Sequence, residues 1–388
     1  MGNGATTEKS VEKIKAGIVS IDITSPFETL ASLPTSLSRS QCIVYNNNEI
    51  IICGGVRKRA CYSYHTLKNQ YKLICSYPDN VTLVGHCVVK LKSSSNNNNN
   101  TNEITLLSFG GMFKHTLVMK YVSVWESHIT KKRGCNEWLP FIDQNNKRLI
   151  SIGRYHDVYC GLRAIVGGNS NNLLFITYSP KNIDIFDLNT LQYINHSTLP
   201  IDNDIHYHCF VLSKKEKNKD VNKMLLFFKN TGLSIIYNEK KNNFQFDNIR
   251  VCTTIKSFFS YGYVCINDVI LFFGGDDDLE SRALKDVYKY SIKQNKWMKF
   301  EQALPISLSG FVAILDKNNT YVHIIGGFDG KNVMATHMKV KMGQWMNEET
   351  ETEKLWIEEE ERKKEIEKTK AEVEKMEKGN GFSIKSLK

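Results

Sequence analysis

A run of β-branched and aromatic residues that stops on paired glycines recurs along this chain, at 50–55 (IIICGG), 104–111 (ITLLSFGG), 269–275 (VILFFGG) and 321–327 (YVHIIGG). Self-similarity at a fixed period constrains a fold more tightly than composition does, because each repeat has to be one supersecondary unit. The apolar runs read as buried strands. Glycines at their ends let the backbone turn and let neighbouring strands approach closely.

A second signature follows each run. An aromatic residue on one strand precedes another by seven positions, as Tyr64 and Tyr71, Phe186 and Tyr193, Tyr237 and Phe244, and Tyr290 and Trp297, with a weaker version at Met338 and Trp345. The polar segments between them (HTLKNQ, DLNTLQ, NEKKNN, SIKQNK) read as hairpin turns. Trp125 and Trp138 form a longer version that carries an insertion. Leu-Pro closes several units, at Leu33-Pro34, Leu199-Pro200 and Leu304-Pro305. The second aromatics, counted from Phe27 to Trp345, return roughly every 50 residues.

On these residues the chain resembles the kelch-repeat family, most clearly over 274–305 (GGDDDLESRALKDVYKYSIKQNKWMKFEQALP), and the likeness extends over roughly 27–345. The units at 147–200 and 205–246 lack Gly-Gly at the strand end and rest on the aromatic pair and the period alone. Four strands per unit cannot bury both faces of a small sheet, and radial stacking solves that problem. The resemblance therefore implies an all-β chain folded as a six-bladed kelch-type β-propeller, with seven blades as the alternative. The expected boundaries are a flexible tail at 1–24, the propeller at 25–346 and a charged helical tail at 347–388. Residues 27–34 resemble the outer-strand segment 297–305, so the N-terminus is expected to complete the last blade and remove an exposed edge.

From 347 to 378 the composition shifts to Glu and Lys, without proline, and predicts a long helix. Leu355, Ile366, Val373 and Met376 make a broken apolar stripe, which leaves a propeller-docked helix and a coiled coil both open. The Asn-rich stretch 93–102 and the charged stretch 214–223 read as loop insertions. At the other end, Gly2 sits in a match to the N-myristoylation pattern (MGNGAT), and a single acyl chain there would give weak membrane association.

Net charge is +10, but the basic residues are scattered through loops such as 131–133 and 214–223, so no nucleic-acid partner is expected. Ten cysteines occur singly, without a CxxC pair, several inside apolar runs. Reduced core thiols fit this pattern, and with no secretory signal at the start they point to a cytoplasmic protein.

The sequence holds no phosphate-binding GxxxxGK[ST], no HExxH, no GxSxG and no dinucleotide fingerprint, so neither catalytic residues nor a cofactor are expected. His206 and His208 share a strand face without a recognisable third metal ligand, and 276–280 is acidic without the full calcium-loop pattern. The sequence assigns no metal site. The resemblance instead implies a partner-binding face built from the loops after each Gly-Gly and the loops that join blades. Transferred position by position, it marks Arg57, Lys58 and Arg59, then Phe113, Lys114 and His115, then Asp276, Asp277 and Asp278, and Phe328 and Asp329. Between blades it marks Arg39 and Arg154. The expected function is a non-enzymatic scaffold that binds a protein partner through an acidic or extended peptide. A propeller enzyme (a metal-dependent oxidase, or a sugar-modifying isomerase or hydrolase) and a cytoskeletal linker are the alternatives.

Overall fold

Each Gly-Gly run is an inner strand of an antiparallel blade, and its continuous hydrophobicity has a direct cause. In the first such strand, Glu49–Gly55, Ile50 and Ile52 pack into one apolar cluster with Leu37 and Ile325, while Ile51 and Cys53 pack into another with Leu106 and Met119. Alternate side chains point to opposite faces of a strand. Both faces are covered here, so neither set is polar.

In the computed structural model, residues 25–92, 103–126, 134–213, 220–280 and 282–380 are described. Their strands form six sheets. Blade 1 runs Gln41–Asn46, Glu49–Gly55, Lys58–His65, Gln70–Ser76, and blade 2 runs His86–Leu91, Ile104–Gly110, His115–Tyr121, Leu139–Pro140. Blade 3 runs Val158–Gly167, Leu173–Ser179, Asn182–Asp187, Gln192–Thr198, and blade 4 runs Cys209–Leu212, Val221–Phe228, Thr231–Asn238, Asn243–Asn248. In blade 5 the short strands Phe258–Phe259 and Gly262–Ile266 both pair with Val269–Asp277, followed by Arg282–Ser291 and Lys296–Lys299. Blade 6 takes Val312–Leu315, Tyr321–Ile325 and His337–Lys341 from the C-terminal end and Glu28–Thr29 from the N-terminal end. The result is a six-bladed β-propeller with one C-terminal helix.

The N-terminal strand closes the ring as expected. Glu28 and Thr29 pair with Lys339 and Met338, and Leu30 and Leu33 donate backbone bonds to His337 and Ala335. Both leucines are buried. Trp345 departs from the outer-strand position that its spacing suggests. It lies in a 3-10 turn, Met342–Trp345, and packs against Phe27, with ring centroids 6.0 Å apart.

The aromatic pairs are direct cross-strand neighbours of the third and fourth strands. Tyr64 faces Tyr71, Phe186 faces Tyr193, Tyr237 faces Phe244 and Tyr290 faces Trp297, with ring centroids 4.9 to 5.2 Å apart. The hairpin between them ends on a residue with positive φ, which is Asn69, Leu191, Asn242 or Asn295. Asparagine tolerates that conformation. Its side chain also accepts the hydroxyl of the first aromatic at Asn69, Asn242 and Asn295. One short motif thus fixes turn, register and packing together.

The helix, Glu351–Asn380, starts on a reciprocal cap in which Glu353 N–H donates to Thr350 Oγ1 and Thr350 N–H donates to Glu353 Oε2. Glu360 is buried against the propeller. It pairs with Arg250 at 2.8 Å and accepts from Thr253, while Glu367 pairs with Arg250 and Lys256. The helix is therefore docked on the propeller, and Leu355, Ile366, Val373 and Met376 stay exposed on its other side. Gly2, the insertion 93–102 and residues 214–219 fall outside the described residues, while the rest of the expected insertion 214–223 runs into the strand Val221–Phe228.

Candidate functional site

Loops after the second strands and loops between blades meet on one face of the ring, and backbone bonds tie them together. Gly111 N–H donates to Tyr159, at the start of blade 3, and Gly275 N–H donates to Leu308 and Gly327 N–H to Leu37, in the segments that lead into the next blade. Close packing at this junction explains the first glycine of the pair. A Cβ on Gly54 would meet Leu83 Cδ1 at 2.3 Å, and Gly54 has φ +55°. In the next junction Leu162 sits over Gly110 in the same way.

Tyr207 covers the mouth of the central channel on this face. It leads into blade 4, has φ 48°, and lies over Gly161 and Gly85 of blades 3 and 2, where any Cβ would strike it. Its hydroxyl accepts from Arg39 Nη1 at 3.1 Å and lies 3.4 Å from Cys160 Sγ. Behind it a cavity of about 280 Å³ runs into the channel, lined by Arg39, Arg163, Ser40 and Ser260 among others.

The residues marked from sequence separate into groups. Arg57 and Lys58 are exposed, while Arg59 pairs with Asp79. Phe113 is 55% exposed, and Lys114 beside it donates to the carbonyls of Arg154 and Tyr155 at 2.6 and 2.8 Å. His115 turns into blade 2 and bonds Ser108, and burial drives its pKa down to about 4. Arg154 is engaged within the fold, paired with Asp157 and the fully buried Asp184 and set over the Tyr193 ring. Asp277 is buried and accepts from Leu279 N–H, Asp278 pairs with Lys229 at 2.6 Å, and Asp329 accepts from the N–H groups of Lys331 and Asn332. Phe328 forms backbone bridges to Ser309 and Val333. The carboxyl of Asp276 is raised by burial, against the opposing effects of a Ser309 bond and the nearby Arg39.

Reading the sequence alone missed Met112, Tyr155, Leu279 and Tyr207. Met112, Tyr155 and Leu279 are 60%, 91% and 83% exposed on this face. Lys114 ties the Phe113 loop to the backbone of Tyr155, so Met112, Phe113 and Tyr155 are exposed on neighbouring loops at the junction of blades 2 and 3. No period marks such residues, because they occupy loop tips. His206 and His208 do not form one site. His208 is buried and bonds Thr177 at 2.7 Å, whereas His206 lies at the mouth among Tyr207, Phe228 and Phe259. Among the described residues no three His, Cys, Asp or Glu side chains come together as a metal site, and no helix is long and apolar enough to cross a membrane.

A family model described as "Kelch motif" matches residues 258–301, which is blade 5. A solved structure described as "Structure of YjhT" is similar in fold, with TM-score 0.53 and 16% identity over 80% of this chain and 96% of that one. At that identity the likeness is one of fold. No curated protein sequence matches the chain.

Proposed function

Since this chain is a kelch-repeat β-propeller, we propose that it is a non-enzymatic interaction scaffold that docks a protein partner on the loop face. The observation that carries this reading is the exposure of Met112, Phe113 and Tyr155 on neighbouring loops, tied together by the two hydrogen bonds of Lys114. Exposed apolar groups that cluster, rimmed by charge, mark interaction surfaces, and aromatic residues dominate their energetics. Arg57 and Lys58 provide exposed cations on the neighbouring loop of blade 1, suited to an acidic segment of the partner. A rigid ring that presents short, tied-down loops loses little conformational entropy on binding.

Affinity purification from the native cells tests it, with the unaltered protein beside a version carrying Arg57, Lys58 and Arg59 changed to alanine and a second carrying Phe113→Ser and Tyr155→Ser. A stoichiometric partner lost from both variants supports the reading. A partner retained by both removes the loop face from consideration.

A further inference from the structure

Three thiols lie in a row across blade 1. Cys53, Cys61 and Cys75 stand on its second, third and fourth strands, with Cys53 directly opposite Cys61 and Cys61 directly opposite Cys75. Opposed residues of an antiparallel pair share a face. All three pack into the apolar cluster that blade 1 shares with Leu106 and Met119 of blade 2. The Cys61 thiol interacts with both of its neighbours. Cys75 also donates to the Met119 thioether at 3.7 Å, and the Trp138 indole N–H donates to Cys61 Sγ at 3.3 Å.

Direct cross-strand partners have Cα atoms about 4.5 to 5.5 Å apart, within the span of about 4.4 to 6.8 Å that a disulfide bridges. Either pair in the row can therefore be joined with small shifts of the backbone. Access selects the pair. Cys53 and Cys61 are fully buried, whereas Cys75 is half-buried on the fourth, outer strand. An oxidant thus meets the row at its Cys75 end. The thiolate is the form that reacts. The bond to Cys61, and then burial, pushes the Cys75 thiol up, and burial pushes Cys61 up. The row is therefore reduced at rest and reacts slowly at neutral pH, faster as pH rises.

We propose that Cys75 and Cys61 form a redox site, in which hydrogen peroxide converts the two thiols to a disulfide across the third and fourth strands of blade 1. The Cys75 thiolate attacks one peroxide oxygen, the O–O bond breaks, and the departing hydroxide takes the thiol proton to become water. Cys75 is left as a sulfenic acid. The Cys61 sulfur then attacks the Cys75 sulfur, the S–O bond breaks, and the hydroxyl leaves with the Cys61 proton as a second water. The two thiols lose two electrons and the peroxide gains them. The new bond ties strand Lys58–His65, which carries Lys58 and Arg59 at its start, to strand Gln70–Ser76. The site goes beyond the docking reading, because it needs no protein on the loop face.

The test exposes reduced full-length protein to hydrogen peroxide, blocks the remaining thiols with N-ethylmaleimide in denaturant, and maps linked peptides by mass spectrometry. The expected result is a Cys61–Cys75 link in about tenfold excess over any other cysteine pair, formed faster as pH rises and reversed by dithiothreitol. No linked pair, another pair in equal amount, or a link that forms only when urea is present overturns the proposal. The mapping is made on the unaltered chain, so a variant that misfolds does not remove the readout. In Cys75→Ser, Cys61 should stay reduced under the same exposure. Oxidation of Cys61 to the same extent in that variant would show that the oxidant does not enter through Cys75, and would also overturn it.

Discussion

The guanidinium carbon of Arg39 lies 4.0 Å from the ring centroid of Tyr207, although Arg39 leads into blade 1 and Tyr207 into blade 4, on the opposite side of the ring. The contact spans the mouth of the channel, and both residues hold a positive φ, 52° and 48°. A cation over an aromatic face is attracted to it, more strongly as water is excluded.

Removing the ring should therefore loosen the mouth as well as empty a space. Tyr207→Ala is expected to destabilise the protein by about 3 kcal/mol, and Tyr207→Phe, which keeps the stacking and loses a hydroxyl bond, by about 1 kcal/mol. Chemical denaturation of both variants checks this. Equal losses would mean that the hydroxyl, not the ring, holds the mouth.

Closure by the N-terminal strand predicts a sharp boundary. Deleting residues 1–24 should leave the thermal midpoint within a few degrees, whereas deleting 1–34 should lower it by about 10 °C or more, because Leu30 and Leu33 and their backbone bonds to blade 6 are lost. Differential scanning calorimetry separates the two deletions. Similar midpoints would contradict closure.

Glu49 is buried between blades 1 and 2, and among the described residues no cation is bonded to it. It accepts from Ser63, Tyr121 and Ser123 hydroxyls at 3.0, 2.7 and 2.5 Å, and from Asn46 at 3.3 Å. Glu49→Ala strands those hydroxyls and should cost about 3 kcal/mol, more than Ser123→Ala at about 1 kcal/mol. Urea unfolding measures the difference. A Glu49→Ala cost under about 1 kcal/mol would show that the cluster contributes little.

Buried histidines predict an acid limit to stability. Burial lowers His86 to about 3 and His115 and His323 to about 4, and it takes His208 and His337 well below the usual value. The unfolded chain binds these protons near pH 6.5 and the folded chain does not. Their contribution is thus fully present above pH 6.5, falls as pH drops, and for His115 and His323 is exhausted near pH 4. The thermal midpoint should decline steadily from pH 6.5 to 4. A flat profile over that window would contradict the assignment.

The architecture was legible because a propeller repeats its constraints. Strand Glu49–Gly55 is apolar on both sides because Ile50 and Ile51 face different blades, and the Tyr64–Tyr71 spacing is the hairpin register itself. Where the repeat lapsed, as at Trp345, spacing assigned an outer strand and the chain formed a turn, since Phe27 already occupied the neighbouring place. The site was less legible. Charged loop positions such as Arg154 and Asp277 were visible as loop residues, but their partners, Asp184 and the Leu279 N–H, are matters of three-dimensional placement. Tyr207 carries no sequence signal at all, because its role depends on the two glycines it lies over, Gly85 and Gly161, which are distant in the chain.

The most direct test of the account is amide hydrogen exchange on the full chain with and without its purified partner. Binding on the loop face predicts new protection at 54–58, 110–115 and 153–157, with little change in the hairpin turns at 65–70, 187–192 and 238–243 on the other face. Protection confined to those turns, or to the helix Glu351–Asn380, would contradict it.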